Sequence, residues 1–175
     1  SSAASDVYKR QIKFETYIWK SDPTGQRFMD AFNRAAARGV EVYVSYDGFG
    51  NLVVPPRFYR QLDPRIHVFR LPAFARPIWR GVVRHGFNHS KIMVVDDEVS
   101  FAGGFNIGDD YARFWRDTHV RERGPAVWGL DQSISIKWNA HHRAGEQMSW
   151  RPPDTWDPRI TVAANQPPLL STRSG

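Results

Sequence analysis

The chain has 175 residues and no cysteine, which allows one domain with its own core and excludes disulfides and thiol chemistry. Lys and Arg outnumber Asp and Glu by 24 to 18, a net charge of +6 with a pI near 9.9, which suits an anionic partner such as phospholipid head groups or nucleic acid. No run of about 18 apolar residues occurs, so no segment reads as a bilayer-spanning helix and any membrane contact is expected to be peripheral.

Residues 1–11 are Ser/Ala-rich at first and lack helical or strand periodicity. They read as a non-native or disordered leader, and Val7-Tyr8-Lys9-Arg10-Gln11 could be translated from a sequencing-library tag. Residues 12–19 alternate apolar and polar for most of their length, which predicts a strand. Asp22-Pro23-Thr24-Gly25 reads as a break. From Gln26 onward, Phe28, Phe32, Ala35 and Ala36 fall at helical spacing, with Arg38 and Gly39 as a basic last turn and a cap. Residues 40–46 are β-branched and aromatic, so strand, helix and strand form a βαβ unit with parallel strands. Residues 55–62 predict a short helix opened by proline, and residues 66–69 a further strand.

Between Arg70 and Asn88 the chain turns basic and irregular, with Arg76, Arg80, Arg84 and His85 interleaved with Phe74, Trp79 and Phe87. Such a loop could grip an anionic head group or lie on a membrane surface; a solvated loop with anchoring aromatics fits equally well. Residues 107–114 predict a short helix and 115–121 a strand. Gly124-Pro125 opens a helix whose Val127, Leu130, Ile134 and Trp138 share one face, a stripe that reads as core. Residues 145–158 read as a Pro/Trp-rich linker, and 160–164 as the start of another strand.

The chemistry concentrates in Asn88-His89-Ser90-Lys91-Ile92-Met93-Val94-Val95-Asp96, followed after six residues by Gly103-Gly104-Phe105-Asn106. His89 and Lys91 enter an apolar run that reads as a strand, where a spacing of two puts both on one face. Val99 to Ala102 would form a neighbouring strand, and Gly103 and Gly104 would allow a tight turn that brings Asn106 back to the same end. A histidine, a lysine and an asparagine amide converging on one point can seat a phosphate. No P-loop, H-E-x-x-H or G-x-S-x-G pattern is present. The adjacent His141 and His142 lack a third group at metal-ligand spacing.

The pattern H-x-K-x-x-x-x-D, then G-G-x-N, resembles the signature of the phospholipase D superfamily. The flanks, E-x-Y-I-W before it and W-R-D-x-H with G-P-A-V after it, make the chain most similar to the N-terminal half of a bacterial cardiolipin synthase, from about residue 12 to about 167. The resemblance implies an α/β half-domain with a mixed sheet flanked by helices on both faces. It divides the chain into a leader at 1–11, a phospholipase D-like domain with one motif at 12–144, a linker at 145–158 and the start of a truncated second half-domain at 159–175. It also implies a phosphatidyltransferase that makes cardiolipin from phosphatidylglycerol through a phosphohistidine, at the cytoplasmic face of the inner membrane. Two His-Lys-Asn sets, the second from another half-domain in the same chain or in a homodimer, would flank one phosphodiester, and no metal or other cofactor would be needed.

On that resemblance His89, Lys91 and Asn106 would hold the phosphate, Asp117 would orient His89, and Asp96, Gly103 and Gly104 would complete the motif structurally. Whether His89 is nucleophile or general acid stays open. The unpaired motif and the positive charge also fit a homodimeric nuclease of the same superfamily, which would take nucleic acid as substrate. An inactive fragment that only binds anions or membranes is a third reading.

Overall fold

The computed structural model describes residues 10–73, 77–78, 81–82 and 88–148. Arg76, Arg80 and Arg84, most of the expected leader, most of the expected linker and the whole of 159–175 lie outside the described residues.

The first strand, β1 (Gln11–Thr16), runs parallel to β2 (Glu41–Asp47), with helix α1 (Pro23–Ala37) between them. This is the βαβ unit that the apolar spacing predicts. The helix begins earlier than expected. Asp22 caps it by accepting from the Gly25 backbone N–H at 2.8 Å, and Pro23 occupies the first turn, where its missing N–H costs nothing. What reads as a break is thus the helix start. Gly39, at φ +84°, ends the helix in the left-handed conformation that glycine tolerates best.

A short helix α2 (Pro56–Tyr59) leads to β3 (His67–Leu71), parallel to β2. Strands β4 (Pro77–Ile78) and β5 (Gly81–Val82) form a separate two-stranded pair. Strand β6 (Ile92–Val95) then pairs antiparallel with β1, and β7 (Val99–Gly103) antiparallel with β6. Helix α3 (Asp109–Arg113), edge strand β8 (His119–Arg123) and helix α4 (Val127–Asn139) complete the fold. The main sheet has the order β3-β2-β1-β6-β7-β8, parallel on one side of β1 and antiparallel on the other.

Alternation on the central strands sends side chains to two cores. Phe14, Val42, Val44 and Tyr46 pack with Met29, Phe32, Ala35 and Ala36 of α1 and with Phe58 of α2. Tyr43 and Val94 pack with Val127, Ile134 and Trp138 of α4. Helices therefore cover both faces, as the mixed α/β reading requires.

Three local findings differ from the sequence-based picture. Gln11 already belongs to the sheet: it pairs with Glu41, and its backbone N–H donates to Asp96 Oδ1 at 2.8 Å. Polar residues of β1 do not face water. Lys13 and Glu15 are 0% and 1% exposed, because α4 covers their face and supplies Asp131 to the first and Lys137 to the second. The segment after α4 is also packed, since Met148 is buried and its N–H donates to Asn139 Oδ1 at 2.7 Å. The chain is therefore tied to α4 where a linker was expected to have begun.

Candidate phosphodiester site

His89 and Lys91 do not lie in a strand. The ladder of β6 starts at Ile92, and 88–91 form an irregular lead-in held in part by side chains. At its start the Asn88 N–H donates to Asp47 Oδ2 at 2.9 Å, and at its end Lys91 C=O accepts from the Gly103 N–H at 3.3 Å. A strand-like spacing of two still serves the pair. The Lys91 ammonium folds back to donate to the His89 carbonyl at 2.7 Å and sits 5.2 Å from the Tyr17 ring centroid, while the His89 ring packs on the same tyrosine at 4.7 Å. Tyr17 is thus the common wall of the two motif side chains, a part it shows only in the folded chain.

Asn106 reaches the same end of the sheet by another route. Residues 17–20, which continue β1, pair with the stretch around Ile107: Trp19 and Ile107 form a parallel bridge, and the Ile107 N–H donates to Ile18 C=O at 2.9 Å. The Ile18 N–H donates to Asn106 Oδ1 at 3.1 Å, which fixes the amide through its acceptor and leaves the NH₂ as its donor end. Lys91 and Asn106 line one cavity of about 390 Å³, whose other walls include Phe28, Met93, Phe101 and Phe105, with His119 and Thr16 as further polar groups. His89 stands exposed nearby.

The paired glycines do something other than allow a turn: neither has a positive φ. A Cβ on Gly103 would lie 2.3 Å from Thr118 C=O, and one on Gly104 would lie 2.0 Å from the Asp117 carboxylate. Both glycines lie where β8 and its lead-in run close against β7, Gly103 against the Thr118 backbone and Gly104 against the Asp117 side chain. Asp96 lies at the opposite end of β6, at φ 54° beside Asp97 at φ 52°, where the two turn the hairpin. Its carboxylate clamps Gln11, far along the strand from His89.

Asp117 sits on the β8 side of the site. Its carboxylate accepts from the Thr118 N–H at 2.7 Å, lies against Gly104, and acts electrostatically on Lys91 and His119. It makes no hydrogen bond to His89, because the Gly104 contact holds it on the β8 side of the site while His89 leans on Tyr17.

The electrostatics follow from this packing. Burial lowers the pKa of the Lys91 ammonium from its ordinary 10.5 to about 8, with Asp117 pulling the other way. His89 is also lowered, first by burial and then by the neighbouring Lys91 charge, with Asp47 opposing. At neutral pH the site therefore holds a neutral imidazole beside an ammonium, the pairing that attack on a phosphorus atom requires. His119 is lowered too, by burial, and stacks on Phe105 at 5.7 Å between ring centroids. It stands in the W-R-D-x-H string, the one signal in the sequence that could have drawn attention to it. Among the described residues no group of three or more His, Asp or Glu side chains is arranged to hold a metal ion.

Comparison with known proteins bears on the family and the fold. The family pattern described as cardiolipin synthase, PLD-like domain, matches residues 7–124. The major cardiolipin synthase ClsA of Bacillus subtilis is 34% identical over 151 residues, covering 79% of this chain and 31% of that protein. A cardiolipin synthase of Listeria welshimeri is 34% identical over 139 residues, 75% of this chain and 29% of that one. The chain thus spans about 30% of the length of the curated relatives it matches. Among solved structures, the phospholipase D family member Nuc from Salmonella typhimurium superposes with a TM-score of 0.57 at 20% identity, covering 77% of this chain and 81% of its own. NucT from Helicobacter pylori gives a TM-score of 0.56 at 18% identity, with 72% and 77% covered. A sheet and helices of this arrangement, carrying this motif and these relatives, place the chain in the cardiolipin synthase, PLD-like domain family.

Proposed function

We propose that this domain supplies one half of the active site of a phosphatidyltransferase that makes cardiolipin from phosphatidylglycerol. The observation that carries the reading is the buried Lys91, which lines a largely apolar cavity together with Asn106 and lies beside the neutral His89. A phosphate would meet a cation and an amide donor there, and the adjoining apolar walls suit the glycerolipid portion of the donor better than a nucleotide sugar.

In the proposed reaction His89 attacks phosphorus, the P–O bond to the head-group glycerol breaks, and a histidine of the second half-domain protonates the departing oxygen. The phosphatidyl group is then carried on His89. The hydroxyl of a second phosphatidylglycerol, deprotonated by that same second histidine, attacks phosphorus and releases cardiolipin and neutral His89. Lys91 and Asn106 stabilise the charge that builds on the non-bridging oxygens. Asp117, exposed and out of contact with His89, is read as serving the histidine of the other half, where a carboxylate would set the tautomer. The two half-domains belong to one longer chain, and the assembly works at the cytoplasmic face of the membrane through peripheral contact of this domain. Among the described residues no helix is long and apolar enough to cross a membrane.

The test is trapping. Full-length protein turning over phosphatidylglycerol, quenched without acid, is expected to carry a phosphatidyl adduct on the peptide containing His89. An adduct found only on the other histidine would reverse the two roles.

A further inference from the structure

Because 88–91 precede the β6 ladder, His89 is fixed by other contacts: the Asn88 N–H on Asp47 and the Tyr17 ring are two, and a further set lies on the other face of the sheet. Beneath this segment, on the sheet face opposite Lys91, the Lys137 ammonium from the last turn of α4 meets the Glu15 carboxylate of β1, which is 1% exposed. The same ammonium donates to Ser90 Oγ at 3.0 Å and reaches Asn88 Oδ1 at 3.5 Å. Its two ligands are the residues on either side of His89. The Asn88 side chain also accepts from the Ser90 N–H at 3.4 Å, so the local turn and the ammonium share one acceptor.

We propose that Lys137, anchored by Glu15, is a positioning residue that holds the Asn88–Ser90 turn and thereby aims His89 at the phosphate. A cation at this place satisfies one buried carboxylate and still has donors left for a hydroxyl and an amide oxygen, which is what the three N–H groups of lysine allow. The inference rests on the proposed phosphodiester chemistry but concerns the aim of His89 for any phosphodiester.

The experiment uses the full-length protein and three variants: Lys137→Met, Lys137→Arg and the double variant Glu15→Gln/Lys137→Met. Removing Lys137 alone strands the Glu15 charge and lowers the melting temperature; the double variant removes that charge and restores stability without restoring the strut. Misaiming a nucleophile by about 1 Å costs roughly a hundredfold in rate. The expected result is therefore a kcat lowered by about ten- to a hundredfold in both Met variants with KM little changed, and partial recovery with Arg. Backbone amides of 88–91 should exchange faster in both Met variants, a readout that needs no activity. Recovery of kcat in the double variant together with its melting temperature, or unchanged exchange at 88–91, would overturn the proposal. Turnover is measured on phosphatidylglycerol and on bis(p-nitrophenyl) phosphate. A wild type that hydrolyses only the second compound sinks the lipid reading while the positioning claim is still decided.

Discussion

At the scale of single residues, the site rests on Lys91 being charged although buried. Its pKa, lowered to about 8, places the loss of that charge just above physiological pH. The ammonium is present below about pH 8 and lost above it, so kcat/KM is expected to fall on the alkaline side with a midpoint near 8. The Asp117 carboxylate raises that value, so Asp117→Asn should move the alkaline limb to lower pH. A pH–rate profile of both proteins checks this, and an unmoved limb would separate Asp117 from Lys91. The motif itself points to His89, Lys91 and Asn106, which the fold carries to the same end of the sheet. Tyr17 was not legible in the sequence, since an aromatic in an apolar run looks like core until the fold sets it between His89 and Lys91. Lys13 and Glu15 were hidden for a related reason. Alternation marks polar positions as outward, and only α4 reveals that this face of β1 is covered.

At the scale of elements, the βαβ unit and the β6–β7 hairpin could be read from apolar spacing, because both strands and α1 carry long periodic runs. The start of α1 was missed because Asp22-Pro23 serves as easily in a turn as in a helix cap, and tertiary packing of Thr24 on Asp109 decides between them. The close β7–β8 pairing makes a sharp prediction. Gly104→Ala pushes a methyl into the Asp117 carboxylate, at the far end of a side chain, whereas Gly103→Ala meets backbone at Thr118. Gly103→Ala is expected to destabilise the domain by about 1–3 kcal/mol in denaturant unfolding, and Gly104→Ala should cost mainly activity. A second prediction concerns the pin between β1 and α4, where the Lys13 Nζ lies 2.5 Å from Asp131, with both side chains buried. Asp97 stands 3.7 Å from the same ammonium. Lys13→Met removes the cation that faces the buried Asp131 carboxylate and should cost about 3–5 kcal/mol. Adding Asp131→Leu should recover much of it, as equilibrium unfolding of the double variant would show.

At the scale of the whole molecule, the chain spans about 30% of the length of the curated relatives, and the proposed half-site draws on its single motif and the exposed Asp117. The net charge of +6 is a property of the surface and fits an anionic lipid interface, yet charge alone left nucleic acid equally open. The motif flanks and the apolar cavity beside Lys91 are what favour the lipid. That cavity could not be read from the sequence, because its walls come from α1, β1, β6, β7, α3 and β8. The most direct test gives full-length protein vesicles of phosphatidylglycerol and follows products by mass. The account predicts cardiolipin and glycerol in equal amounts from the wild type and loss of both in His89→Ala. Phosphatidylglycerol left untouched while DNA is cut, or full turnover by His89→Ala, would contradict it.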